Sequence, residues 1–155
     1  MVISILHGAP FWVWPVLALL VWLGLRATRV RSVASWSLYV LPLAGLLSLN
    51  AVHGLNVGVA VWAVFGGGYL SGALFGRRYQ AGLVLEKSGG VVRLAGEWMT
   101  LLVLMIVFWV NFAGGVAQAI APVVYASFGF KLGFAAIAGL AAGSFLGRAI
   151  AVLRA

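Results

Sequence analysis

Residues 55–78 read LNVGVAVWAVFGGGYLSGALFGRR, an uncharged run from Leu55 to Gly76 closed by Arg77 and Arg78. At about 1.5 Å of rise per residue, a helix of this length reaches across a hydrocarbon core about 30 Å thick. A membrane span over 55–75 is therefore expected, with the paired arginines where it meets water. Gly68, Gly72 and Gly76 recur every four residues and share one helix face. Lipid supplies little drive for helix association, so such a seam works by letting backbones approach closely, and Leu in place of Gly72 should disrupt assembly. Gly54 and Gly58 form a weaker version of the same pattern.

The rest of the chain shares this character. Of 155 residues, 65% are hydrophobic and 8% charged, whereas about a quarter of a soluble domain is charged. The expected fold is an all-α integral membrane protein, one domain of about five transmembrane helices over 11–25, 33–49, 55–75, 98–121 and 132–152. Pro15 implies a late start or a kink in the first span, and Pro42, near the middle of the second, predicts a kink. No Lys or Arg precedes Arg26, so the first span lacks the basic start of a cleaved signal and reads as retained. Residues 79–97 contain two short apolar runs, 83–85 and 91–94, around Glu86, Lys87, Ser88, Gly89 and Gly90, the pattern of a β-hairpin at the membrane surface.

Between these spans, Arg26, Arg29, Arg31, Arg77, Arg78, Lys87, Arg93, Arg148 and Arg154 fall on one side and Lys131 alone on the other. By the positive-inside rule the N-terminus is outside, and the C-terminus and hairpin are in the cytoplasm. Arg26, Arg29, Arg31, Arg77, Arg78 and Arg148 are then topology determinants or contacts for lipid headgroups. The net charge of +8 is spent on topology, with no basic face that would suit nucleic acid. The expected partners are the lipid bilayer and either further copies of the chain or a membrane partner subunit.

An offset of 71 residues overlays Gly68, Gly72, Gly76 and Arg77 on Gly139, Gly143, Gly147 and Arg148, and the second span on the fourth. This suggests a parallel repeat of helices 2–3 and 4–5 after an additional first helix. Two unrelated glycine seams that each end at a membrane boundary would produce the same pattern.

Asn111 and Gln118 lie seven positions apart on one face of the fourth span, with Gly114 and Gly115 between them. An amide in a bilayer needs a partner or water, so this stripe reads either as an interhelical hydrogen-bonding face or as a pathway for a small solute or ion. His7 and His53 fall on the same outer side and form a weak candidate pair for haem or a metal, although most such sites require more ligands. Trp22, Trp62 and Trp109 lie deep enough to pack or to line a cavity. Glu86 and Glu97, the two carboxylates, read as solvated residues of the cytoplasmic connection. The chain has no Cys, no phosphate-binding loop, no zinc-protease histidine pair and no acid within a span. The expectation is a non-enzymatic protein with no cofactor.

Several motifs together resemble a family of small bacterial inner-membrane proteins distantly similar to the CcdC-type proteins of cytochrome c biogenesis. They are Leu6-His7-Gly8-Ala9-Pro10-Phe11-Trp12-Val13-Trp14, Leu23-Gly24-Leu25-Arg26, Gly96-Glu97-Trp98 and Gly143-Ser144-Phe145-Leu146-Gly147-Arg148. The family more often has Ser where this chain has Glu97, which weakens any role for that residue. The resemblance implies a bacterial inner-membrane location and a short hairpin before the fourth span, and brings no catalytic residue or substrate. The functional expectation is an oligomeric transporter or channel, or else an accessory subunit of a membrane enzyme or redox complex.

Overall fold

The computed structural model describes residues 10–36, 40–55 and 57–154. In chain order the elements are α1 (Val13–Ala27), β1 (Arg31–Ala34), α2 (Val40–His53), α3 (Val59–Ala81), β2 (Val84–Ser88), β3 (Val91–Leu94), α4 (Met99–Ile120), α5 (Pro122–Ala126) and α6 (Phe128–Arg154). Among the described residues three helices are long and apolar enough to cross a membrane, α3 with 23 residues, α4 with 22 and α6 with 27, while α1 is a shorter apolar helix of 15. Pro15 is the third residue of α1, a first-turn position where the missing N–H costs no helical hydrogen bond, so it marks a late start.

Several expected boundaries are corrected. Val33 and Ala34 lie in β1 and not in a helix, and α2 is described from Val40 onward, with Pro42 as its third described residue. The third helix does not stop at Arg77 and Arg78 but runs to Ala81 with both arginines exposed in its last turns, and Gln80 therefore belongs to the helix. The last helix starts at Phe128, preceded by the single turn of α5, whose first residue is Pro122.

The expected hairpin exists, but as part of a three-stranded antiparallel sheet in the order β1-β3-β2. Gly89 and Gly90, at φ 54° and 82°, make the two-residue turn, a conformation that L side chains adopt at a steric cost. β1 pairs Arg31 with Leu94, Ser32 with Arg93, Val33 with Val92 and Ala34 with Val91. Side chains alternate across a strand. Val92 and Leu94 are accordingly buried against Val152 of α6, with Val33 and Val84 packed beside them, while Val91 and Arg93 face out. The sheet thus caps the end of α6. Lys87 of β2 tightens this cap by donating from Nζ to the carbonyls of Val152 and Leu153, 3.1 Å each, where a helix terminus carries partial negative charge.

The most extensive helix contact joins α3 to α6, which run parallel. A Cβ on Gly68 would lie 2.9 Å from the Ala136 carbonyl, one on Gly72 would strike the Leu140 backbone, and one on Gly76 the Ser144 backbone. Reciprocally, a Cβ on Gly139, Gly143 or Gly147 would strike the carbonyls of Phe65, Tyr69 and Ala73. The two ladders are therefore one seam within a single chain, each glycine meeting backbone 68 or 74 positions away, to either side of the 71-residue offset. The repeat does not extend to the other pair. α2 packs on α6, whereas α4 packs mainly on α1, where Gly24 lies against Leu101. Gly54 and Gly58 take no part in close packing, since a Cβ on Gly58 would meet nothing within 4 Å and one on Gly54 only the carbonyls of the preceding turn, at 3.5 Å or more.

α1, α3 and α6 end, and α2 and α4 begin, at the end that carries the sheet, where nine of the ten Lys and Arg residues gather. Lys131, at the start of α6, lies toward the other end. That opposite end is held by an apolar cluster of Val52, Leu55, Val61, Phe65, Phe134 and Ala135.

Candidate functional site: a buried polar cluster and an outward amide stripe

The glycine seam delivers α3 and α6 to the basic end in fixed register, which sets Gln80 beside Arg148. Arg148 donates from Nε to Gln80 Oε1 at 2.9 Å, and from Nη2 to Glu97 Oε1 at 2.7 Å and to Thr100 Oγ1 at 2.8 Å. All four residues are buried, Arg148 at 4% exposure and Glu97 at 6%. Glu97 precedes α4 and also caps it, since its Oε2 accepts the Thr100 backbone N–H at 2.9 Å and its other oxygen accepts the Thr100 hydroxyl. A carboxylate at this helix end also complements the dipole.

Backbone contacts lock the same corner. The Glu97 N–H donates to the Ala27 carbonyl at 2.9 Å, and a Cβ on Gly96 would strike the Thr28 backbone. Burial alone would raise the Glu97 pKa. It is outweighed by the Thr100 hydroxyl, the Arg148 charge and the Thr100 N–H, which hold it below the ordinary glutamate range. The cluster joins α3, α4 and α6 and carries the one ion pair found among the described residues. Removing one partner of a buried pair leaves an uncompensated charge.

Two expectations fail here. Glu97 is not a solvated loop residue, and Arg148 is not a headgroup contact. Gln80 and Thr100 were not singled out in the sequence. The usable signal was an arginine inside a glycine seam together with one of only two acids immediately before a helix. Close contacts surround this corner, with Gly24 on Leu101, Gly96 on Thr28, and Gly143, Gly147 and Arg148 on α3. The expected topology and headgroup residues Arg26, Arg29, Arg77 and Arg78 are exposed, and Arg31 is half-buried.

The amide stripe lies elsewhere. Asn111, Gly115 and Gln118 are exposed on α4, whereas Gly114 is buried, and a Cβ there would meet the rings of Phe134 and Phe130 at 3.5 and 3.8 Å. Asn111 donates from Nδ2 to the Val107 carbonyl of its own helix at 2.8 Å. The stripe does not line an interior of the single chain. Trp22 and Trp109 also face outward, at 55% and 50% exposure, and Trp62 alone of the three packs against the apolar cluster.

His53 ends α2 with its side chain exposed, and His7 lies outside the described residues. No group of three or more potential metal ligands occurs among the described residues. Comparison with protein-family models, curated proteins and solved structures gave no match.

Proposed function

We propose that the chain is a non-enzymatic multi-pass protein of the bacterial inner membrane, with five crossings and a cytoplasmic sheet, that works as an assembly of copies joined along the outward stripe of α4. The observation that carries this reading is the exposure of Asn111 and Gln118 on the most apolar of the three long helices. An amide facing acyl chains lacks hydrogen-bond partners, whereas each amide in a second copy offers both donors and acceptors. Copies inserted in the same orientation and related by a two-fold axis along the membrane normal bring equal levels together, amide to amide and Gly115 to Gly115. The glycine permits close approach.

The glycine seam, whose sequence does not say whether it packs within or between copies, is occupied within the chain, which leaves the α4 stripe as the partner surface. In liposomes, donor- and acceptor-labelled copies should transfer energy, and Asn111→Leu with Gln118→Leu should reduce the transfer while the fold is retained. Transfer unaffected by the pair of substitutions would remove the reading.

A second reading, passage of a small solute or ion, is favoured by the same stripe, since Asn111 spends only one N–H on its own helix. The pathway would then run between copies. Flux through liposomes that is lost with the Asn111→Leu and Gln118→Leu pair would support it, and absence of flux in the parent protein would end it. If the stripe instead captures a different subunit, the accessory role suggested by the resemblance to CcdC-type proteins is the better description.

A further inference from the structure

We propose that the basic end holds a binding site for a phosphate-type anion, formed by Arg26 and Arg31 beside the buried Arg148–Glu97 pair, and that the phosphate of an anionic phospholipid headgroup fills it.

The sheet register turns Arg31 toward the covered face. Arg31 stands opposite Leu94, and its neighbour Ser32 opposite the outward Arg93; Ser32 is exposed and Arg31 half-buried. The preceding segment is clamped to the start of α4 through the Glu97 N–H on the Ala27 carbonyl and the close approach of Gly96 to Thr28. Arg31 is thereby held beside Glu97, and Arg26 in the last turn of α1 flanks the same corner. Arg31 feels the Glu97 carboxylate and, with opposite sign, the charges of Arg148 and Arg26. Glu97 is already engaged by Arg148 and by both groups of Thr100, so the corner keeps an excess of positive charge. Burial, with the Arg148 and Arg26 charges added, holds the Arg31 pKa down against the pull of Glu97. Arg148 Nη1 is likewise buried without a hydrogen-bond partner among the described residues.

An anion with several acceptor oxygens answers the excess where it is reachable, at Arg31 and Arg26, since guanidinium donors match phosphate geometry. The level of the corner argues for a lipid source. It lies where apolar helices end, with the Arg26 guanidinium 5.6 Å from the Trp22 ring and Trp98 67% exposed, an arrangement suited to the headgroup region. Arg77 and Arg78 are exposed on α3 and serve as controls for charge without a built site.

The test uses the full chain in maltoside micelles containing phosphatidylglycerol or phosphatidylcholine, with inorganic phosphate added to the phosphatidylcholine arm at matched ionic strength, and reads thermal stability against anion content. Phosphatidylglycerol should raise the midpoint of the parent and of the Arg77→Gln/Arg78→Gln variant. Arg31→Gln should need about fivefold more phosphatidylglycerol for the same shift. Arg26→Gln should do likewise and serves if Arg31→Gln fails to fold. Stabilisation by inorganic phosphate alone, lost in the same variants, would keep the site and overturn the headgroup as its ligand. No shift with phosphatidylglycerol, or equal loss in the Arg77/Arg78 variant, would overturn the site.

Discussion

Arg148, the residue after the last glycine of the seam, reaches Glu97 at 2.7 Å and so ties the last helix to the start of α4 inside a water-excluded corner. Both charges are buried, so the pair holds the corner through mutual compensation, and either charge alone would be costly. Glu97→Gln should destabilise the protein in detergent by about 3 kcal/mol, with Arg148→Met similar. The double variant Glu97→Leu/Arg148→Met should recover part of that loss. Thermal unfolding followed by tryptophan fluorescence reads all three, and strictly additive losses would show that the two charges do not depend on each other.

The same pair sets an acid limit. The Glu97 pKa is lowered in the folded chain, so its contribution is fully present above the unfolded glutamate value, about 4.3, and is lost as pH falls through the folded value. Unfolding midpoints between pH 7 and pH 3 should drop on the acid side of that range, and the drop should shrink in Glu97→Gln.

The seam predicts opposite outcomes for similar substitutions. Gly143→Ala places a Cβ against the Tyr69 backbone and should lower stability by several kcal/mol, as overpacking against backbone does. Gly66→Ala has nothing within 4 Å and should be neutral or stabilise by up to about 1 kcal/mol through helix propensity. Equal effects at the two positions would contradict an intramolecular seam.

Lys87 predicts a local effect. Lys87→Ala removes the donor to the last carbonyls of α6 and should cost about 1 kcal/mol. Amide exchange should speed up in β2 and in the last turn of α6 and stay unchanged in α1.

Much of this architecture is visible in the sequence. The long uncharged runs mark α3, α4 and α6, the clustering of arginines marks one end, and Gly89-Gly90 marks the turn, because each signal is local. β1 is hidden because Arg31–Ala34 is four residues at the edge of an apolar run, and its identity depends on a strand about sixty positions away. The polar cluster is hidden for a related reason. Arginine beside a predicted membrane boundary has an ordinary meaning in topology, and only the parallel seam brings Gln80 to Arg148. The glycine ladders were legible as close-packing faces, but periodicity does not say which helix a face meets.

The central claim is assembly along α4, and the absence of cysteine makes it directly testable, since any introduced Cys is the only thiol. Oxidative cross-linking of Gly115→Cys in native membranes requires Cα atoms within about 7 Å. The account predicts a disulfide-linked dimer of this chain from Gly115→Cys, its loss on adding Asn111→Leu and Gln118→Leu, and no dimer from Leu70→Cys, an exposed position on α3. A monomer from Gly115→Cys, or equal dimer from Leu70→Cys, would contradict it.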